Sequence, residues 1–281
     1  MDTLGAWLAK AATQLRQAGF ERPRAEARYL ACHGLNISTE ITIAQPERPI
    51  NDPERRVLDQ ILDRRLAFEP LAYIRGQTEF FGRQFSVGNG VLIPRPDSET
   101  LIDTALEAFA SNQPTRILDL GTGSGCLLLT LLLEWPDSLG LGVDQSAAAL
   151  AWAARNARSF GLMDRLTLIQ GDWTTAICGR FDLIVSNPPY VERGDIPSLM
   201  PDVGRFEPHD ALDGGTDGLD YYRRLAGELA GLLAPDGIAL MECGAGQADA
   251  IEAFFAGAFA VRQKRDLAGT PRVIEISKNC D

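Results

Sequence analysis

The run Asp119-Leu120-Gly121-Thr122-Gly123-Ser124-Gly125 constrains the fold of this chain more than any other stretch. A short apolar segment beginning at Arg116 leads into it, and the leucine-rich segment from Cys126 leads out. A strand that ends in glycines and feeds straight into a helix is half of a βαβ unit. Glycine suits the junction because the backbone must turn sharply and come close to a ligand. The helix start beyond it offers free amide donors. The alternation continues from there. Strands are expected at Arg116–Asp119, Leu139–Val143, Leu166–Ile169, Leu183–Ser186, Ile238–Glu242, Phe259–Gln263 and Val273–Ile276, with helices between the earlier ones. That pattern predicts an α/β, doubly wound, Rossmann-like sheet of seven strands, mostly parallel. The short Asp266–Thr270 connection lets the last pair run antiparallel.

The residues ahead of this sheet read differently. Leu4, Leu8, Ala11, Ala12 and Leu15 recur at helical steps until Gly19. Pro23 opens a second helix through Cys32. Asp52-Pro53 looks like an N-cap with proline at the first helical position, and places Val57, Leu58, Ile61 and Leu62 on one face. Residues 1–74 are therefore expected to form a small helical bundle. Residues 75–95 read as a β-hairpin connector: Phe80-Phe81-Gly82 and Phe85-Ser86-Val87 flank a short polar segment, and Gly88-Asn89-Gly90 is a turn signal. Pro94-Arg95-Pro96 then restricts the backbone before a helix over Ser98–Ala110, so the sheet domain spans 96–281.

Charge narrows the function classes. Lys and Arg number 27 against 38 Asp and Glu, a net charge of −11, which disfavours a broad basic surface for phosphate backbones. No apolar run approaches the length of a membrane span, and no basic region precedes an apolar stretch at the start. A cytoplasmic protein is expected. Cys32, Cys126, Cys178, Cys243 and Cys280 are scattered without a C-x-x-C pair, and neither His33 nor His209 has a partner at metal-ligand spacing. Neither a disulfide framework nor a metal site is expected.

The glycine loop by itself is shared with dinucleotide-binding sites, and a turn that merely packs helix on strand is its bland alternative. Its surroundings sharpen it. Asp144 closes the second strand, where a carboxylate can accept both hydroxyls of a ribose. Asp119, ahead of Gly121, Thr122, Gly123, Ser124 and Gly125, can hold an ammonium group, which suits an adenosine cofactor bearing an amino acid better than a pyrophosphate. Gly171-Asp172-Trp173 closes the third strand and would set a carboxylate near the adenine amino group and an indole against its face.

The sharpest feature is Phe181 to Ser186 followed by Asn187-Pro188-Pro189-Tyr190. The apolar run is a buried parallel strand that delivers Asn187 to the carboxyl edge of the sheet, where such folds bind ligands. Two prolines lock the turn, fixing the Asn187 side-chain oxygen and the Pro188 carbonyl as acceptors; Tyr190 adds an aromatic wall. An amide or aromatic amino nitrogen is a poor nucleophile because its lone pair is delocalised. Two acceptors gripping its N–H bonds can orient it, so that positioning does most of the work. No titrating general base is needed before transfer.

On these residues the chain resembles the release factor glutamine methyltransferase family. The resemblance runs from Arg64 onward, through Glu69-Pro70-Leu71-Ala72-Tyr73-Ile74, Glu79-Phe80, Val91-Leu92-Ile93-Pro94-Arg95-Pro96, the glycine loop, the Asn-Pro-Pro-Tyr turn, and Phe206-Glu207-Pro208 with Ala211-Leu212 to Leu219. It departs at Asp97-Ser98-Glu99, where the family more often has Glu-Thr-Glu. The resemblance implies S-adenosyl-L-methionine as cofactor, held by Gly121 to Gly125, Asp144, Trp173 and Asn187. It implies class 1 peptide chain release factors as partners, with the glutamine of their Gly-Gly-Gln motif held by Asn187, Pro188, Pro189 and Tyr190 and methylated at N5. Asn187, Pro188 and Tyr190 are the expected catalytic residues. The alternatives are a ribosomal-protein glutamine methyltransferase and an adenine-N6 nucleic-acid methyltransferase, which shares the Asn-Pro-Pro-Tyr turn. The acidic balance speaks against a direct nucleic-acid substrate.

Overall fold

The computed structural model describes residues 3–175 and 177–279, in two compact units, Met1–Gly76 and Gln77–Asp281. The first is helical: α1 (Leu4–Gln17), α2 (Pro23–Leu35), α3 (Thr39–Ala44), α4 (Asp52–Leu66) and α5 (Leu71–Arg75). Its core joins Leu4, Trp7, Ala11 and Leu15 to Leu30, Leu58, Ile61 and Leu62, the face set by helical periodicity. Val57 stays exposed, because the buried stripe of α4 is centred on Leu58, Ile61 and Leu62. The start of α4 also corrects the sequence reading. Asn51, not Asp52, is the N-cap: its side chain accepts from the Glu54 amide while the Glu54 carboxylate accepts from the Asn51 amide. The short helices α3 and α5 carry too few turns to show a periodicity.

The second unit opens with a hairpin, β1 (Gln77–Phe80) and β2 (Arg83–Ser86), paired antiparallel. The turn is Phe81-Gly82, both at positive φ, which matches the right-handed twist of two-residue hairpins. Gly88-Asn89-Gly90 lies past the hairpin and turns the chain at Asn89-Gly90, with Gly90 at positive φ, as expected. There a Cβ on Gly88 would meet the Trp152 ring at 2.6 Å, so the glycine serves close packing.

A mixed sheet follows, built from β3 (Arg116–Leu120), β4 (Leu139–Asp144), β5 (Leu166–Gln170), β6 (Phe181–Ser186), β7 (Leu233–Glu242), β8 (Phe259–Arg265) and β9 (Pro271–Lys278). The spatial order is β5-β4-β3-β6-β7-β9-β8. β9 runs antiparallel to β7 and to β8, so the last pair forms the expected hairpin. The helices of this unit are α6 (Glu99–Ala108), α7 (Cys126–Glu134), α8 (Ala147–Phe160), α9 (Pro201–Phe206), α10 (Asp220–Leu232) and α11 (Ala248–Phe255). Side chains alternate across the strands into two cores. Leu118, Leu120, Ile184 and Met241 pack with α10 and α11. Ile117, Leu183, Val185 and Leu240 pack with α6, α7 and the hairpin phenylalanines Phe80 and Phe85. The chain reverses its winding direction between β3 and β6, the switch point at which open α/β sheets bind ligands. Leu120 pairs with Ser186 there, so Gly121 and Asn187 leave the sheet side by side.

Candidate active site

The glycine loop adopts the geometry that its residues permit. Gly121, Gly123 and Gly125 have φ of 73°, 57° and 80°, a region that costs other residues steric strain. The Gly121 and Thr122 amides both donate to the Val143 carbonyl at 2.9 Å, folding the loop back onto β4. Gly125 precedes α7, and a Cβ there would meet Leu129 at 3.0 Å and Ala153 at 3.4 Å. It therefore serves helix packing and leaves the cleft wall to its neighbours. Asn156 of α8 secures the arrangement from behind: buried, it accepts from the Ser86 amide at 2.7 Å and donates to the Ser86 and Ser124 carbonyls at 3.0 and 2.9 Å.

A cleft runs along the carboxyl edge of the sheet and is lined by Gly121, Thr122, Gly123, Ser124, Asp144, Trp173, Asn187 and Pro189, together with Tyr221, Pro208 and the Val91–Arg95 strip. Asp144 accepts from the Gly123 amide through Oδ2 and from the Ser146 amide through Oδ1, each at 2.8 Å. These bonds fix the carboxylate and leave further lone pairs for a ligand. Burial raises its pKa, and the two amides oppose the rise. Asp119 sits beneath the loop, 1% exposed. Its Oδ2 accepts from Thr122 Oγ1 at 2.7 Å, while its Oδ1 is buried without a hydrogen-bond partner. Burial drives its pKa up to about 7; the Thr122 bond opposes this and the Asp144 charge adds to it.

Trp173 is 9% exposed and adopts φ 54°, a strained conformation for a bulky residue and one that turns its ring onto Tyr221, centroid to centroid 4.6 Å. Tyr221 was not foreseen in the sequence, since it lies on α10 with no motif around it. Asp172 does not line the cleft. Its carboxylate is held by Arg224 at 2.8 Å, on the exposed side of the strand end.

The Asn-Pro-Pro-Tyr turn closes the other end. Ser186 Oγ donates to the Leu120 carbonyl at 2.8 Å, locking β6 to β3 just before the turn. Asn187 Nδ2 donates one of its two N–H bonds to Ser98 Oγ at 3.1 Å, which orients the amide and leaves its oxygen free to accept. Asn187 and Pro189 line the cleft; Pro188 and Tyr190 do not. Tyr190 turns its hydroxyl away, donating to Glu242 Oε1 at 3.2 Å.

Residues 212–219 clamp this turn from outside. The Val191 amide donates to the Leu212 carbonyl at 3.0 Å, and Gly214 returns a bond to the Val191 carbonyl at 2.8 Å. A Cβ on Gly214 would lie 2.8 Å from the Pro189 oxygen and from the Tyr190 Cα, and one on Gly218 would lie 2.4 Å from the Tyr190 oxygen. Gln247 completes the clamp, donating through Nε2 to the Tyr190 carbonyl at 2.9 Å. Beside the cleft mouth, buried Glu207 accepts from the Ile93 amide at 3.1 Å and from Arg95, joining the Pro94–Arg95 wall to the Pro208 wall. Burial raises the Glu207 pKa, and Arg95 opposes it.

Among the described residues no cluster of His, Cys, Asp and Glu could hold a metal ion, and no helix is long and apolar enough to cross a membrane. Cys32, Cys126, Cys178 and Cys243 are free thiols, and Cys280 lies outside the described residues.

A doubly wound sheet with a glycine loop, a ribose-type carboxylate and an Asn-Pro-Pro-Tyr turn at its switch point is the architecture of a methyltransferase. Two family models match, "PrmC N-terminal domain" over residues 6–76 and "Methyltransferase small domain" over 97–200. A release factor glutamine methyltransferase of Rhodospirillum rubrum is 44% identical over 273 residues, covering 96% of this chain and 84% of that one. One of Bradyrhizobium diazoefficiens is 43% identical over 274 residues, covering 95% and 92%. A solved methyltransferase of Pyrococcus furiosus shares the fold at a TM-score of 0.53 and 18% identity, over 71% of this chain and 91% of its own. The chain belongs to the release factor glutamine methyltransferase family.

Proposed function

We propose that this protein transfers the methyl group of S-adenosyl-L-methionine to the side-chain amide nitrogen of the glutamine in the Gly-Gly-Gln motif of class 1 peptide chain release factors, in the cytoplasm. The observation that carries the reading is Asn187: it lines the cleft beside the glycine loop with its Nδ2 committed to Ser98, leaving an oriented acceptor. Names of relatives that share more than two-fifths of their residues with this chain support the same substrate.

The residues present fit the cofactor. The buried Asp119 Oδ1 without a partner is the atom an ammonium group would satisfy, since an unpaired buried carboxylate oxygen is costly. Asp144 would accept the ribose hydroxyls, and Trp173 with Tyr221 would enclose the adenine. Gly121, Thr122, Gly123 and Ser124 would line the path between them, and the committed Asp172 carboxylate would contribute by holding the Trp173 turn through Arg224. When bound, the cofactor supplies an electrophilic methyl group on a sulfonium.

The protein's own part is positional. Asn187 Oδ1 would accept one N–H of the glutamine amide and the Pro188 carbonyl, although Pro188 is outside the cleft lining, would accept the other, holding the nitrogen in line and favouring pyramidal geometry as the new bond forms. The extra proton then sits on a cationic amide nitrogen of high acidity and leaves to water, so no dedicated base is required. Pro189 fixes the turn, and Tyr190 supports it from behind through Glu242. The helical unit, residues 3–76, would supply binding contacts to the folded release factor, because one side chain offers little binding energy of its own. Incubation with labelled S-adenosylmethionine and separate pools of release factor, ribosome and DNA tests the reading. Label is expected in the release factor alone; label in ribosomal protein or in DNA would favour the corresponding alternative.

A further inference from the structure

Glu242 is a buried carboxylate to which the methyl-transfer reading gives no more than a supporting contact with Tyr190. It closes β7, the strand beside β6, and is 1% exposed. Its Oε1 accepts from Tyr190 Oη at 3.2 Å, its backbone carbonyl accepts from Tyr222 Oη at 2.7 Å, and its Oε2 is buried without a hydrogen-bond partner. A carboxylate kept in such a place costs stability, and a purely structural role is filled more cheaply by an apolar side chain.

Its neighbours connect it to the acceptor turn by two routes. One is Tyr190 itself. The other is Ser98, 2% exposed, whose Oγ accepts from Asn187 Nδ2 at 3.1 Å. Having accepted there, the Ser98 hydroxyl still has a proton to place. It favours the charged form of the Glu242 carboxylate. An ionised carboxylate can only accept. It draws the Ser98 proton toward itself, keeps the Ser98 lone pairs toward Asn187 Nδ2, and thereby keeps Asn187 Oδ1 as the acceptor offered to the cleft. A protonated acid or an amide at position 242 can donate to Ser98 instead. Ser98 is then free to donate to Asn187, and an Asn187 amide turned about presents N–H to the N–H bonds it should hold.

We propose that Glu242 is a positioning residue for methyl transfer, setting through Ser98 and Tyr190 the direction in which the Asn187 amide faces. This rests on the assignment of Asn187 as the acceptor-holding group. The groups facing the Glu242 carboxylate are Tyr190 from the turn, Ser98 and Asp97 ahead of α6, Arg272 from β9, Tyr222 from α10, Cys126 from α7 and its neighbour Cys243. Arg272 is shared with Asp97 at 2.9 Å and Asp266 at 3.3 Å, so its charge is not dedicated to Glu242. Burial outweighs these neighbours and raises the Glu242 pKa above its ordinary 4.5.

The test is single-turnover methylation of intact release factor by the full chain at saturating cofactor, from about pH 5 to about pH 9. The wild-type rate should fall on the acid side with a midpoint above the ordinary glutamate value. Glu242→Gln should lower the rate constant about tenfold or more and abolish that acid limb, while cofactor affinity and release-factor KM change less than about threefold. Glu242→Asp should restore part of the rate and keep a limb. Ser98→Ala, which removes the relay and leaves the carboxylate, should lose the limb as well, and it carries the test if Glu242→Gln fails to fold. A Glu242→Gln protein within a factor of two of wild type overturns the proposal. So does one that keeps the limb, or one whose rate loss is matched by a loss of cofactor binding. Those outcomes leave the amide-transfer reading standing, because the wild type still methylates; a wild type that transfers nothing to the release factor overturns both.

Discussion

Replacing Asp119 with asparagine should strengthen the fold and weaken cofactor binding at the same time. Asp119 is fully buried, with one oxygen bonded to Thr122 and the other unpaired, and its pKa stands at about 7. A carboxyl group whose folded pKa lies above its unfolded value is protonated more tightly by the folded state. The wild type should therefore lose stability as pH rises from about 4, where the unfolded side chain ionises, to about 7, where the folded one does. Integrating that window gives a total of about 4 kcal/mol, of which roughly 2–3 kcal/mol falls between pH 5 and pH 8. Asparagine does not titrate, so the stability difference between variant and wild type should grow by that amount over the same interval. Differencing the two proteins cancels the other buried carboxylates, Glu207 and Glu242, and leaves only the Asp144 coupling as a second-order effect. Urea unfolding of both proteins at pH 5 and pH 8, without cofactor, measures it. Binding should move the other way. Losing a charged acceptor for the ammonium group should weaken S-adenosylmethionine by roughly 10- to 100-fold, from about 1.5–3 kcal/mol for a hydrogen bond to a charged group. A stability difference independent of pH, or an unchanged cofactor Kd by calorimetry, would refute the placement of Asp119 as a desolvated carboxylate awaiting a cation.

Three further outcomes are expected. Asp144→Asn should weaken cofactor binding by about 1–2 kcal/mol, measured by calorimetry, because the amide can keep one of the two backbone bonds but offers a poorer acceptor to ribose. Gly214→Ala should cost about 1–3 kcal/mol of stability by chemical unfolding and lower the methylation rate more than the cofactor affinity, since its Cβ would press on the backbone of Pro189 and Tyr190. A chain beginning at Gln77 should still bind S-adenosylmethionine, because every residue lining the cleft belongs to that unit, but should methylate intact release factor far less well than a short Gly-Gly-Gln peptide. Equal losses on both substrates would assign the helical unit a stabilising role only.

The parts of this molecule that were legible in the sequence are those where one residue type has few alternatives. Three glycines at positive φ, a buried apolar strand and two consecutive prolines each admit one backbone solution, and together they flank the sheet's switch point. Periodicity likewise located the seven strands and the three longer helices of the first unit. What escaped depends on partners distant in the chain. Asn156 reads as an ordinary helix residue until Ser86 and Ser124 are folded against it. Tyr221 acquires meaning only beside Trp173, and Asp172 loses its expected place at the cleft because Arg224 reaches it from α10. Tyr190 reads as a wall of the acceptor site; it turns its hydroxyl to Glu242 because β7 brings a buried acceptor directly behind the turn. The hairpin turn falls at Phe81-Gly82, ahead of the polar segment expected between the two aromatic runs, because Phe81, a bulky residue, takes a positive φ that local preference does not assign to it. The helix start at Asn51 was misplaced by one residue because two neighbouring residues, Asn51 and Asp52, both suit an N-cap, and only the reciprocal bond with Glu54 decides between them.

The central claim is that the acceptor is an amide nitrogen gripped by Asn187. Peptide-mapping mass spectrometry tests it most directly, on a class 1 release factor incubated with S-adenosylmethionine and either the wild-type protein or Asn187→Ala. The wild type should add the mass of one methyl group to the peptide carrying Gly-Gly-Gln, with fragmentation placing it on the glutamine side chain. Asn187→Ala should bind cofactor within about threefold of wild type yet methylate roughly 100-fold more slowly, the usual consequence of deleting one oriented group at the reacting atoms. Methylation at another residue, or an Asn187→Ala protein that modifies the glutamine as fast as wild type, would contradict the account.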